Sequence, residues 1–189
     1  MRCGNCVHAQ GPKMSSTVYE ENMYEHMVFI AGGTGVTPFM QVSRSSVTPF
    51  MQIMTQSLQF MPDDLTKFTL IFCNSNEQDV ALKRDLKQLQ SLSGGRMQVH
   101  FIISRKAEES FNWEGLIGRC SVELLQPLLP KLEVFVKNEA HIWICGPSGF
   151  VGNLAEQESG NSQSNVDATK PVLARMGMVP GKHYEVLTG

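Results

Sequence analysis

Short apolar segments that each end at a glycine or polar cluster constrain the fold of this chain more than any other feature. They are residues 26–31 (HMVFIA), 67–73 (KFTLIFC), 97–104 (MQVHFIIS) and 140–145 (AHIWIC), with a shorter fifth at 183–187. Helical patterns lie between them, and residues 78–90 place Leu82, Leu86 and Leu89 on one face. Alternating strands and helices predict an α/β fold, a Rossmann-like parallel sheet of about five strands with helices on both faces.

Local signals predict where three of the helices begin. Residues 75–78 (SNEQ) have the spacing of a capping box, which predicts that the helix over 78–90 starts there. A shorter helix is predicted over 121–129, ended by Pro130, and Pro147 is expected to begin another after the fourth strand.

Glycine and polar clusters follow three of the predicted strands. Residues 32–37 follow the first strand, 74–79 the second and 146–149 the fourth. Ligands bind open parallel sheets at the carboxyl ends of the strands, near the point where the strand order reverses. We therefore expect a binding site where these three clusters meet.

The first cluster, AGGTGVTP at residues 31–38, has the chemistry of an anion-binding loop. Its glycines let an anion approach backbone N–H groups closely, and Thr37 and Pro38 favour a helix start whose N–H groups face that anion. Pro38 stands where the dinucleotide fingerprint has its third glycine. The pattern is therefore typical either of a phosphate loop or of a tight strand-to-helix turn.

The third cluster, CGPSG at residues 145–149, offers a sharp bend at Gly146 and a helix start at Pro147. Cys145 places a small thiol at the strand end. It either packs against a flat ring or is a buried structural cysteine, and residue type alone favours the second.

Composition excludes several classes of partner. The chain is 42% hydrophobic and 18% charged with net charge −2, an ordinary globular composition with no basic surface for nucleic acid. No apolar run approaches the roughly 18–20 residues of a membrane span, and the first residues resemble neither a signal nor a transit peptide. Five cysteines predict a reducing compartment. Cys3 and Cys6 form a C-x-x-C, for which frayed thiols are favoured over a metal or redox site, so no metal is predicted.

Two further stretches are predicted to be loops. Residues 156–169 are polar and Ser/Asn-rich, which predicts an exposed loop. Residues 108–118 carry Phe111 and Trp113, which either anchor their own loop or contact a ligand.

The order AGGTGVTP, IFCN and CGPSG resembles the pyridine-nucleotide half of the ferredoxin reductase-like flavoproteins. Residues 11–189 are similar to NADH-cytochrome b5 reductases in particular. Supporting segments are LIFCNSNEQDVALKRDL and FNWEGLIGRCSVELLQ. The family's enzymes pass hydride from NADH to FAD and then single electrons to a cytochrome b5-type haem protein, and they work on the membranes of the endoplasmic reticulum or mitochondrion.

The resemblance implies NADH as the cofactor and assigns roles to particular residues. Asp79 is expected to accept hydrogen bonds from a ribose hydroxyl and to repel the extra phosphate of NADPH, although a first-turn helix acid would suit the same place. Cys145 and Thr37 are the expected catalytic residues because they set the geometry of hydride transfer. The implied cofactor-binding residues are Gly32, Gly33, Thr34 and Gly35 at the pyrophosphate, Thr37 and Pro38 beside the flavin, Asn74, Asp79, and Cys145, Gly146 and Pro147 at the nicotinamide.

The sequence departs from the family pattern at its front. Residues 1–12 match only the end of an FAD-binding barrel, and 13–189 form the expected NAD(H)-binding domain. FAD is expected for the family, but its barrel motifs are not in this chain. The alternatives to a reductase domain are a non-catalytic nucleotide-binding or assembly subunit, or a truncated fragment.

A tandem repeat is the second departure. VTPFMQ occurs at residues 36–41 and again at 47–52, and removal of 36–46 restores the family pattern. We expect the first copy to keep the glycine loop, with a helix break at 44–47. The alternative is that the second copy docks at the core and pulls the loop away.

Overall fold

The computed structural model describes residues 20–33, 35, 54, 57–58, 60–105, 113–155 and 170–187. The expected barrel remnant at 1–12, the repeat at 36–46 and the polar loop at 156–169 lie outside these residues. So do Cys3, Cys6, Thr34, Thr37, Pro38 and Phe111, and the roles assigned to them stay predictions.

The core of the described part is a six-stranded sheet in which every pair of neighbouring strands is parallel. The strand order is β4-β3-β2-β1-β5-β6. The predicted α/β class is confirmed. The strands are β1 (His26–Gly32), β2 (Lys67–Asn74), β3 (Met97–Ile103), β4 (Leu116–Ile117), β5 (Ala140–Cys145) and β6 (Tyr184–Val186).

The prediction of about five strands missed β4, which has only two residues. Leu116 pairs with Ile102 and Ile117 with Ile103, but both side chains of β4 are exposed. Backbone pairing at the sheet edge creates this strand, so no buried apolar pattern marks it in the sequence.

The apolar strands are buried on both faces because each face of the sheet carries its own core. Val28 and Ile30 pack into a cluster with Ile71, while Met27 and Phe29 point into a second cluster on the other face. Side chains alternate across a strand, so a continuous apolar run satisfies both cores at once. That is why these runs form the centre of a parallel sheet.

The helices connect the strands and cover the sheet. They are α1 (Lys83–Leu92), α2 (Val122–Leu125), α3 (Leu132–Val136), α4 (Ser148–Leu154) and α5 (Val172–Arg175), with 3₁₀ turns at Glu77–Asp79 and Gln126–Leu128. Ser121 caps α2 by accepting a hydrogen bond from the Leu124 N–H, and Pro147 stands at the N-cap of α4, as predicted. No helix of the described residues is long and apolar enough to cross a membrane.

The prediction of a single helix over 78–90 is wrong in its first turn. Asn76, not Ser75, is the cap, and it holds only the 3₁₀ turn Glu77–Asp79. Leu82 then adopts a left-handed backbone with φ 59° and is 41% exposed, so α1 begins only at Lys83. Leu86 and Leu89 are buried as expected. The hydrophobic pattern of the sequence thus continues across a break in the helix, and the backbone conformation of Leu82 sets the position of that break.

The order of the strands creates a crevice at their carboxyl ends. The chain leaves β1 towards β2 on one side, while β5 flanks β1 on the other. The connections after β1 and β5 therefore lead away from a shared edge, which is the topological switch point of this sheet.

Candidate functional site

The two glycine motifs meet at the switch point through their backbones. A Cβ atom at Gly35 would overlap the carbonyl of Cys145, and one at Gly146 would lie 3.2 Å from the Cα of Gly32. Cβ atoms at Gly32 and Gly146 would also lie 2.5 and 2.7 Å from the ring of Phe150. These glycines are therefore required because two backbones and an aromatic ring occupy the space of side chains.

Gly33 has a different reason to be glycine. Its φ is +52°, a left-handed conformation, and a Cβ atom there would meet nothing within 4 Å. The empty space belongs to a cavity, so a ligand can approach this backbone closely.

A cavity of about 640 Å³ lies over the carboxyl ends of β1, β2, β3 and β5. Its volume is in the range of small-molecule and cofactor sites. Five of the eleven predicted cofactor-binding residues line it: Gly32, Gly33, Asn74, Asp79 and Pro147. The other lining residues are Cys73, Ser75, Ile102, Ser104, Gly118, Arg119, Cys120, Gly149, Phe150 and Asn153.

Asn74 is the clearest sign that the cavity takes a polar ligand. Its side chain is only 7% exposed at the end of β2, and among the described residues neither its amide oxygen nor its amide nitrogen has a hydrogen-bond partner. An unpaired buried amide costs roughly 1–3 kcal/mol, and each unpaired group in a native structure calls for an explanation. A ligand that both donates and accepts a hydrogen bond at this position removes the cost.

Asp79 is held at the cavity by the loop before it. The Asn76 side chain accepts hydrogen bonds from the N–H groups of Gln78 at 3.0 Å and Asp79 at 3.2 Å. The Ser75 carbonyl accepts from the Arg105 N–H at 3.0 Å and from the Ser104 hydroxyl at 3.2 Å. This loop is thus fixed from both β2 and β3, and no ion pair of Asp79 is recorded among the described residues.

Arg119 is a lining residue that the sequence reasoning missed. It is exposed after β4, and within the described ranges it makes no recorded ion pair. With Asp79 it gives the cavity one carboxylate and one guanidinium, a pairing suited to a ligand with both hydroxyl and phosphate groups. The only sequence signal was its place just after Gly118.

Cys145 lies beside the cavity rather than in its wall. Its side chain is 6% exposed and packs into the cluster of Phe29, Met54 and Trp143, on the other face from Ile144. Burial raises the pKa of the Cys145 thiol, partly opposed by a hydrogen bond from the Gly146 N–H. A protonated thiol suits packing rather than nucleophilic attack.

Trp113 anchors its own loop. The indole N–H donates to the Leu116 carbonyl at 3.2 Å, and the Lys83 ammonium lies 4.7 Å from the ring centre. The side chain is absent from the cavity wall. Of the two readings open for this residue, the structure favours the anchor.

The site offers groups for polar recognition. No three His, Cys, Asp or Glu side chains come together among the described residues. The backbone of Gly33, the Asn74 amide, the Asp79 carboxylate and the Arg119 guanidinium instead surround one cavity. This arrangement fits an elongated ligand with several hydrogen-bonding groups.

Comparison with known proteins places the chain in a family. The family model described as oxidoreductase NAD-binding domain matches residues 29–156. NADH-cytochrome b5 reductase 1 of Cryptococcus neoformans is 33% identical over 160 residues, 81% of this chain and 49% of the relative. NADH-cytochrome b5 reductase 2 of Neurospora crassa is 30% identical over 188 residues, 98% of this chain and 48% of the relative.

A solved structure agrees on the fold. The cytochrome b5 reductase domain of Ulva prolifera nitrate reductase superposes with a TM-score of 0.63 at 23% identity, over 87% of this chain and 49% of that one. The chain spans about half the length of the curated relatives it matches. It belongs to the family of oxidoreductase NAD-binding domains, and the resemblance to NADH-cytochrome b5 reductases that its motifs predicted is confirmed.

Proposed function

We propose that this domain binds NADH in the cavity at the switch point and, in the whole protein, presents it to FAD. The observation that carries the proposal is the buried, unpaired amide of Asn74 in the cavity wall. The names of the relatives support NADH as the electron donor and cytochrome b5 as the acceptor of the wider reaction. We propose that the electrons pass between them through the flavin.

The lining residues divide the work of holding a dinucleotide. The left-handed Gly33 leaves its backbone open to a pyrophosphate, and Arg119 supplies a positive charge for the same group. Asn74 satisfies its donor and acceptor on the ligand. Pro147, at the N-cap of α4, and the backbone of Gly146 give the nicotinamide a narrow site beside Gly35.

Asp79 makes the site selective for NADH over NADPH. Its carboxylate accepts hydrogen bonds from ribose hydroxyls and repels a phosphate ester at the same carbon. The Asn76 cap keeps that carboxylate in place by bonding the N–H of Asp79 itself. The positive charge of Arg119 would attract the extra phosphate of NADPH and so opposes the preference for NADH. Where Asp79 lies relative to the ribose therefore decides which cofactor binds more tightly.

Bound nicotinamide supplies a hydride, and the chain's own residues orient it and exclude water. Close packing of Gly35 on Cys145 beside the cavity, and of Phe150 on Gly32 and Gly146, leaves no room for further side chains there. Cys145 contributes as a neutral thiol, because burial raises its pKa. We propose that Thr37 and Pro38 complete this end, where the nicotinamide faces the flavin.

Calorimetric titration of the protein with NADH and NADPH tests the proposal. We expect wild-type protein to bind NADH more tightly than NADPH. Asn74→Ala should weaken NADH binding about tenfold, the equivalent of roughly 1.4 kcal/mol for the lost hydrogen bonds. Asp79→Ala should weaken NADH binding and strengthen NADPH binding.

Asp85→Ala is the matched control, because Asp85 is an exposed carboxylate in the first turn of α1 outside the cavity wall. It should leave both affinities unchanged. An equal loss of NADH affinity in Asp79→Ala and Asp85→Ala would contradict the role assigned to Asp79. NADH-dependent reduction of ferricyanide by the whole FAD-containing protein tests the electron-transfer half of the proposal. NADH binding by that whole protein without such turnover would contradict the electron-transfer half alone.

A further inference from the structure

We propose that Cys73 and Cys120 form a redox-active dithiol in the cavity wall, which peroxide converts to a reversible disulfide. Cys73 lies near the end of β2 and Cys120 just before α2, 47 residues apart in the chain. Nothing in the nucleotide-binding role requires a thiol at either position. The proposal is independent of that role, because it concerns the two sulfurs and their access to small oxidants.

The geometry brings the two sulfur atoms together. Their separation is 3.0 Å, and both thiols are free. A disulfide has a sulfur–sulfur distance of about 2.0 Å, so the bond requires an approach of about 1 Å. Asn153 of α4 holds the Cys120 backbone by donating from its side-chain nitrogen to the Cys120 carbonyl at 3.2 Å. The pair is thus positioned by the fold from two separate elements.

The cavity gives a small oxidant access to this pair. Cys73 and Cys120 are each 8% exposed, and both line the cavity. Cys145 is similarly buried, at 6%, but it packs on the other face of the sheet and lines no part of this cavity. Cys145 is therefore an internal reference with the same chemistry in a different place.

The hydrogen bond between the two thiols shifts their pKa values in opposite directions. The contact with Cys73 lowers the pKa of Cys120, whereas the same contact and burial raise the pKa of Cys73. Cys120 is therefore the sulfur that more readily becomes a thiolate. The thiolate is the nucleophile in thiol oxidation, so Cys120 reacts first.

The chemistry balances with one peroxide per dithiol. The Cys120 thiolate attacks a peroxide oxygen; an S–O bond forms, the O–O bond breaks, and hydroxide leaves and takes a proton to become water. Cys73 then attacks the Cys120 sulfenic acid; the S–S bond forms, the S–O bond breaks, and the oxygen leaves as a second water with the Cys73 proton. Two thiols lose two electrons and hydrogen peroxide gains them.

Peptide mapping of peroxide-treated native protein tests the proposal. Cys3→Ser and Cys6→Ser are introduced first, so that of the five cysteines only Cys73, Cys120 and Cys145 remain. After hydrogen peroxide, alkylation in denaturant and digestion, we expect one linked peptide pair that joins Cys73 to Cys120, with alkylated Cys145. Dithiothreitol should restore all three alkylated peptides.

Two single variants test the order of the steps. In Cys73→Ser, Cys120 should accumulate as a sulfenic acid trapped by dimedone, because the second thiol is missing. In Cys120→Ser, dimedone should label Cys73 at least tenfold more slowly. If either variant does not fold, the map of the parent protein decides alone. Separate alkylated Cys73 and Cys120 peptides after peroxide, or the same linked pair formed equally fast in urea, would overturn the proposal.

Discussion

At the scale of single residues, the glycines of the site separate into two kinds. Gly32, Gly35 and Gly146 are glycine because a Cβ atom would meet Phe150 or another backbone. Gly33 has free space but a left-handed φ of +52°. Gly149 lines the same cavity with free space and an ordinary helical backbone in α4. Within one site, some positions thus require glycine because of the backbone conformation and others because of the lack of space for a side chain.

Gly33→Ala should destabilise the protein although the new methyl group meets no atom. A non-glycine residue in the left-handed region costs about 1–2 kcal/mol, so the free energy of unfolding should fall by that amount. Gly149→Ala is the control and should be neutral or stabilising by up to about 1 kcal/mol, because alanine favours helices. Urea denaturation measures both. Equal effects of the two substitutions would argue against conformational strain at Gly33.

At the scale of elements, buried polar contacts fix how segments sit against the sheet. Ser57 and Leu58 have a helical backbone, and Ser57 is fully buried. Arg96, just before β3, donates to the Ser57 hydroxyl and to the Ser57 carbonyl, each at 3.1 Å. One guanidinium thereby joins Ser57 to the start of β3.

Arg96→Met should destabilise the protein through the groups it leaves behind. The Ser57 hydroxyl and carbonyl would lose their donor while still buried, which costs roughly 1–3 kcal/mol. Arg84→Met is the matched control, since Arg84 is exposed on α1, and its effect should stay within about 0.5 kcal/mol. Urea denaturation at fixed salt compares them. If Arg96→Met lowers the free energy of unfolding no more than Arg84→Met does, the contact between Arg96 and Ser57 does not stabilise the fold.

At the scale of the whole molecule, buried imidazoles give the fold a dependence on pH. Burial, together with neighbouring His183, lowers the pKa of His141 to about 4, against an ordinary value of 6.5. Burial and the nearby Lys67 lower the pKa of His26 to about 4 as well. In the folded protein both rings are therefore neutral at pH values where the unfolded chain binds protons.

The free energy of unfolding should fall as pH falls from about 6.5 towards 4, and it should be flat with respect to these groups above that window. Within it the unfolded chain gains protons that the folded rings cannot accept, and His141 alone accounts for a loss on the order of 2–3 kcal/mol. Urea denaturation across pH 7.5 to 4.5 measures the slope.

His141→Phe should reduce that slope. The ring packs against Trp143 at 4.6 Å and Tyr24 at 5.5 Å between centres. Its Nε2 atom has no hydrogen-bond partner in the described part of the chain, so an apolar ring suits the site. The substitution gives up the hydrogen bond to the Lys182 backbone. A variant that keeps the full wild-type slope would show that His141 does not titrate as its burial indicates.

Much of the candidate site could be predicted from the sequence because it depends on local patterns. Apolar runs such as Ala140–Cys145 marked buried parallel strands, and the glycines and polar residues after them had to meet at one edge of the sheet. That rule brought Gly32, Asn74, Asp79 and Pro147 to one cavity. The roles assigned to all eleven cofactor-binding residues stay predictions, and Thr34, Thr37 and Pro38 lie outside the described part of the chain.

The sequence by itself determined the fold class, the carboxyl-end site and the family, because side-chain periodicity and glycine placement are properties of neighbouring residues. Only the tertiary structure decided which distant groups touch. It placed Arg119 in the cavity, brought Cys73 to 3.0 Å from Cys120, and interrupted the helix pattern at Leu82. These contacts depend on strand order and loop path, which arise from the packing of the whole chain and leave no periodic signal in its residues.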